Sequence, residues 1–178
     1  MKNIKKVSFP EVLEIFDSEH SVNEGSNDWA RKKLQEANEK FKGIWWKAEL
    51  SRREILNILL VWHLDGDLEL IPPTGLTVLE TKRRFKEIRD EYRAKSKNCY
   101  EKIIKFGQDP FSPIFLSTEP LRGYGSAEYE RLRYRNNHLV HLDGLHSLIA
   151  WAVVGRLNRF KYYFSPQKVN AFIAGPVG

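Results

Sequence analysis

Hydrophobic residues in the first half of the chain recur at helical spacing behind clear helix-start signals. Three segments have the capping-box pattern, in which a hydroxyl residue is followed three positions later by a glutamate: Ser8 to Glu11, Ser51 to Glu54 and Thr77 to Glu80. In this box the hydroxyl and the carboxylate each accept a hydrogen bond from a backbone N–H group that the helix start leaves unpaired. The pattern predicts helices over residues 9–19, 27–42, 52–63, 78–94 and 97–106.

Short apolar runs that end at glycine, proline or Asp-Gly predict strands. We expect these strands over residues 44–50, 67–71, 113–117, 138–142 and 169–175. Leu145 to Val154 is apolar on nearly every side, which is typical of a helix buried in a core, and a shorter helix is predicted near 127–132.

The order of these elements predicts an α+β fold. We expect an N-terminal helical extension over residues 1–66 and a mixed-sheet core over 67–178. A polar insertion rich in Gly, Arg, Tyr and Glu interrupts the core at 118–137.

Composition limits the class of protein. Hydrophobic residues make up 42% of the 178 positions, which is enough to build a core. No apolar run approaches the roughly 20 residues that a membrane span needs, and no apolar segment follows the N-terminal lysines, so we expect a cytoplasmic protein without a membrane. The net charge of +6 permits an anionic partner such as nucleic acid. Because acids alternate with most of the basic residues, nucleic-acid binding is not favoured.

Cys99 is the single cysteine of the chain. It cannot form an intramolecular disulfide, and one thiol excludes a zinc site built from cysteines. We expect it to be a small apolar residue on a helix, distant from any reactive motif.

The segment around Asp143 is the strongest candidate for chemistry. A strand delivers Asp143 and Gly144 to the start of the apolar helix 145–154, where unpaired N–H groups and the helix dipole favour a phosphate. His146 and Ser147 lie in the first turn and can donate to phosphate oxygens, while Asp143 can hold Mg²⁺ or orient a hydroxyl nucleophile. The alternative is structural, because Asp is a good N-cap and Asp-Gly is an ordinary turn.

These residues resemble a known family. An apolar strand, an Asp-Gly-x-His motif, an apolar helix and a last strand resemble the ParB/sulfiredoxin-like superfamily, nearest to its free-serine kinase branch. The matching segments are Ile103–Gly107, Pro113–Leu116, Leu142-Asp143-Gly144-Leu145-His146-Ser147 with Ala150 and Gly155, and Val169–Ile173. The chain departs from the branch motif D-G-H-H-R at Leu145 and at Ser147, which replaces the phosphate-binding arginine.

The resemblance implies a nucleotide-dependent phosphotransferase, similar to a small-molecule kinase, that acts on a small hydroxyl-bearing metabolite. ATP or ADP and Mg²⁺ would be its cofactors. The implied catalytic residues are Asp143, His146 and Glu80, with Asp143 also on the metal. Glu80 is the candidate general base, although it equally fits the third position of its capping box.

Other residues complete this predicted site. The nucleotide phosphate is expected on Gly144, Leu145, His146, Ser147 and Arg156, where Arg156 would supply the charge that Ser147 lacks. The substrate is expected at His141, Glu119 and Tyr124. Sulfiredoxin activity itself is not expected, because Cys99 is some forty positions upstream of the motif.

Two alternatives stay open at the level of sequence. The first is a nucleotide-sensing, DNA-associated regulatory module of ParB type, which needs a helix-turn-helix. The second is a metal-dependent enzyme that uses His141, Asp143 and His146, since residues two apart on a strand share one face and His-x-Asp forms part of some metal sites. A homodimer is also left open.

Overall fold

The computed structural model describes residues 1–20, 25–65, 68–107, 112–124, 126–154 and 168–177. The helices in these ranges are α1 (Phe9–Glu19), α2 (Gly25–Lys40), α3 (Arg52–Leu56), α4 (Val78–Glu87), α5 (Arg89–Lys95), α6 (Lys97–Phe106), α7 (Ala127–Glu130) and α8 (Leu145–Val154). The strands are β1 (Lys2–Val7), β2 (Trp45–Ser51), β3 (Leu59–Leu60), β4 (His63–Asp65), β5 (Leu68–Ile71), β6 (Leu76–Thr77), β7 (Ile114–Ser117), β8 (Val140–Asp143) and β9 (Lys168–Ala174).

Seven strands form one mixed sheet in the order β1-β2-β9-β7-β8-β3-β6. The pairs β7–β9 and β3–β8 are parallel, and the other neighbours are antiparallel. Strands β4 and β5 pair separately. The predicted α+β class is therefore confirmed.

The sheet crosses the boundary that was predicted at residue 66. Strands β1, β2 and β3 precede that boundary, yet they lie in the same sheet as β6 to β9. The segment 1–66 therefore contributes strands as well as helices, which corrects the description of it as a helical extension.

Each face of the sheet is covered by a hydrophobic layer. The first layer joins the sheet to α4, α6 and α8 through residues such as Phe85, Ile103 and Leu148. The second joins it to α1, α2 and the insertion through residues such as Phe16 and Tyr129. We call these the α8 face and the α1 face.

The three helix starts predicted from capping boxes are confirmed. In all three capping boxes the hydroxyl accepts from the N3 backbone N–H and the glutamate accepts from the N-cap backbone N–H. Two helix lengths were wrong. The predicted helix 52–63 ends at Leu56, because the following apolar residues form the buried strand β3, which a short apolar run cannot distinguish from a helix. The predicted helix 78–94 divides at Ile88 into α4 and α5.

The insertion packs on the α1 face. Its Ser126 and Glu128 contact the ammonium of Lys33, a side chain that is only 2% exposed. Tyr129 is fully buried, and its hydroxyl donates to the backbone carbonyl of His141 at 3.1 Å. The insertion is therefore anchored beneath β8.

None of the helices in the described part of the chain is long and apolar enough to cross a membrane.

Candidate functional site

Three side chains from distant segments meet where α6 and α8 begin. His63 is the first residue of β4, Cys99 is the third residue of α6, and His146 is the second residue of α8. The helices α6 and α8 share the hydrophobic layer of the α8 face, which holds their first turns in one place. The starts of β4, α6 and α8 therefore hold the three side chains in one cluster.

The donor atoms of this cluster converge. The Cys99 Sγ atom lies 3.3 Å from His146 Nε2 and 3.6 Å from His63 Nε2. One ligand atom from each of the three residues lies within 4.8 Å of the other two. The two imidazole rings meet edge to face, with their centroids 5.5 Å apart.

Burial controls the charge of His146. Desolvation, with smaller contributions from the nearby charges of His63 and Lys102, lowers the pKa of this imidazole to about 4. The ring is therefore neutral near pH 7. A neutral imidazole is the form that binds a metal ion, whereas a phosphate is better bound by an imidazolium.

His141 lies on β8 next to this cluster and is 2% exposed. Neither ring nitrogen has a hydrogen-bond partner among the described residues. Desolvation lowers the pKa of His141 to about 4, and the charge of Asp143 opposes this shift only in part. A buried polar ring without a partner is rare in native proteins.

Asp143 pairs with His20, the C-cap residue of α1. His20 Nε2 lies 3.1 Å from Asp143 Oδ2, while His20 Nδ1 lies 2.7 Å from the carbonyl oxygen of Phe16. The hydrogen bond to Asp143 raises the pKa of His20. Burial acts to raise the pKa of Asp143, but the hydrogen bonds from His20 and from the Gly144 backbone, together with the neighbouring histidines, leave it lowered. The two groups form an ion pair at the start of α8 when His20 is protonated.

The strand–Asp–Gly–helix junction forms where the sequence predicts it. Gly144 has a φ of +94°, and a Cβ atom at this position would lie 3.0 Å from Ile114 Cγ2, so the position requires glycine. The Asp143 carboxylate accepts from the Gly144 backbone, and the Leu148 N–H donates to the Gly144 carbonyl at 3.0 Å, so Gly144 and not Asp143 holds the N-cap position of α8.

The other predicted site residues lie in varied surroundings. Ser147 is half-buried, and Leu145 packs against the α8-face layer. Glu119 is exposed and pairs with Lys40 at 3.5 Å, and Tyr124 packs against the α1-face layer. Arg156 lies outside the described residues.

Glu80 is engaged in helix capping. Its Oε2 atom accepts hydrogen bonds at 2.7 Å from both the backbone N–H and the hydroxyl of Thr77. The bond from the Thr77 backbone is the main cause of a lowered pKa. A general base that works near neutral pH needs the opposite shift.

Sequence reasoning missed His63, Cys99 and His20. Cys99 was expected to be an apolar residue distant from the motif, but it contacts the motif histidine His146. The metal site predicted from sequence consisted of His141, Asp143 and His146. Of these three residues, only His146 belongs to the cluster of three donors in the structure. Composition was the only sequence signal for these residues. The chain has five histidines and one cysteine. Four of the histidines lie at or beside the site: His20, His63, His141 and His146.

The chain matches a family model along residues 1–178 and belongs to DUF6309, a family of unknown function. The comparison with curated proteins found no match, and neither did the comparison with solved structures.

Proposed function

We propose that this member of the family is a metal-dependent enzyme that binds Zn²⁺, or a transition ion of similar preference, through His63, Cys99 and His146. The convergence of two imidazole nitrogens and one sulfur carries this proposal. Thiolate and imidazole are the ligands that zinc prefers in proteins.

The spacing of the donors supports a tetrahedral ion. Zn–S bonds of about 2.3 Å and Zn–N bonds of about 2.05 Å at tetrahedral angles place sulfur and nitrogen about 3.5 Å apart. The two sulfur–nitrogen distances in the cluster are 3.3 and 3.6 Å. Zinc can therefore bridge the sulfur and either imidazole nitrogen at the separations that these atoms already have.

Among the described residues the cluster offers three ligands, and this number supports a catalytic site. Structural zinc sites close with four protein ligands, whereas catalytic sites use three and leave one position for water or substrate. Zinc lowers the pKa of such a water to near 7 and so supplies a nucleophile for hydrolysis. The charge of Asp143, which pairs with His20, also acts on the neighbouring His141.

Zinc titration of the purified full chain tests the proposal. We expect one zinc per chain for the wild type and a loss of affinity of at least about 100-fold in Cys99→Ser and in His63→Gln, since each change removes a ligand. His138→Gln is the matched control, because the charged neighbours of this fifth histidine are Arg135 and Glu80. Equal zinc affinity in the wild type and both ligand variants would overturn the proposal.

The phosphotransferase predicted from the ParB/sulfiredoxin-like resemblance is the second candidate. The observation that favours it is the Gly144 junction at the start of α8. A neutral His146 and a negatively charged Asp143 at that junction weaken its attraction for phosphate. Calorimetric titration with ATP and ADP, with and without Mg²⁺, distinguishes the two candidates: saturable nucleotide binding that Asp143→Ala removes would favour the phosphotransferase.

A further inference from the structure

We infer that His141 faces the fourth position of the metal site and hydrogen-bonds to the water, anion or substrate oxygen that binds there. This inference rests on the proposed metal site and adds a residue that would hold the reacting ligand instead of the metal. Three observations on His141 carry it.

The first observation is orientation. Side chains alternate between the two faces of a strand. Val140 and Leu142 of β8 belong to the hydrophobic layer of the α1 face. His141 therefore points to the α8 face, which is the face on which His63, Cys99 and His146 meet.

The second observation is the state of the ring. His141 is 2% exposed, and both of its nitrogens are unpartnered among the described residues. A neutral imidazole carries one N–H donor and one lone pair, and leaving both unused in a buried site is unfavourable. Such a ring can form a hydrogen bond to a ligand that is bound to the metal.

The third observation is distance. The charge of His63 acts on His141 and the charge of His141 acts on His146, so the three rings are neighbours. His141 is nevertheless not one of the three residues whose donor atoms all lie within 4.8 Å of one another. The ring therefore lies beside the site and outside its set of three donors.

Cobalt-substituted full-length protein with azide as the probe tests this arrangement. Azide occupies an open coordination position and accepts hydrogen bonds, and its binding is followed through the visible absorption of Co²⁺. We expect His141→Leu to keep cobalt affinity within about threefold of the wild type and to weaken azide binding by about tenfold or more, because one charge-assisted hydrogen bond is lost. His141→Gln should recover part of that loss, and the control His138→Gln should bind azide as the wild type does.

The possible failures are distinguishable. If wild-type protein binds no cobalt or zinc, the proposed function fails and the inference fails with it. If the wild type binds metal but His141→Leu leaves azide affinity unchanged, only the inference is overturned. If His141→Leu loses the metal by about 100-fold and zinc absorption spectroscopy counts three imidazoles, His141 is itself a ligand and the inference is also overturned.

Discussion

The sulfur of Cys99 lies 3.3 Å from Nε2 of His146, although the two residues are 47 positions apart in the chain. Cys99 lies in the first turn of α6 and His146 in the first turn of α8, so the packing of these helices sets the distance between the two side chains. With His63 at 3.6 Å from the same sulfur, this contact defines the candidate metal site.

Zinc is expected to stabilise the folded protein against heat. A ligand that binds only the folded state raises its stability by RT ln(1 + [L]/Kd), which is about 2.7 kcal/mol at 100 times the Kd. We expect the melting temperature of the wild type to rise by several degrees on addition of zinc and that of Cys99→Ser to change little. Calorimetric scans with and without zinc measure this difference. An equal rise in both proteins would indicate that zinc binds elsewhere.

His141→Leu should stabilise the metal-free protein at pH 7. The substitution replaces an unpartnered buried imidazole by an apolar side chain of similar volume, and the desolvation cost that it removes is about 1–3 kcal/mol. Urea denaturation at pH 7 measures the change. A loss of stability would show that His141 contributes to packing instead.

The same variant should change the pH dependence of stability. The pKa of His141 is about 4 in the folded protein against 6.5 as its ordinary value. Below pH 6.5 the unfolded chain therefore binds a proton that the folded protein excludes, and stability falls until the pH reaches about 4. The advantage of His141→Leu over the wild type should grow by about 2 kcal/mol between pH 7 and pH 5. Denaturation curves at both pH values check this, and a constant advantage would contradict the lowered pKa.

Glu80→Gln tests whether this residue caps α4 or acts as a base. A glutamine keeps the capping geometry but loses the charge that accepts from Thr77, so we expect a destabilisation of about 0.5–1 kcal/mol. Glu11→Gln in the α1 box is the matched control, because Glu11 accepts the same two hydrogen bonds from its N-cap residue, and it should change stability in the same direction. Loss of catalytic turnover in Glu80→Gln with unchanged stability would instead favour the general-base prediction.

Local sequence signals predicted the local structure well. The capping boxes, the Asp143–Gly144 junction and the buried helix α8 follow from short-range chemistry, and each is present. The apolar run after Ile55 was assigned to a helix because burial alone does not reveal whether such a run pairs with β8. Strand β1 was missed because its lysine-rich sequence lacks an apolar face and lies at the edge of the sheet.

The candidate site depends on contacts that no local pattern encodes. His63, Cys99 and His146 come from three segments, and their convergence depends on how α6 and α8 pack against the sheet. The motif around Asp143 lies at the same end of α8 as the three-donor cluster, since His146 and His141 belong to that motif. It did not indicate the partners that arrive from β4 and α6.

X-ray absorption spectroscopy at the zinc edge of the purified, zinc-loaded full chain tests the central claim most directly. We expect one sulfur at about 2.3 Å, two imidazole nitrogens at about 2.0–2.1 Å and one further light atom. A spectrum without a sulfur neighbour, or with only oxygen ligands, would contradict the account.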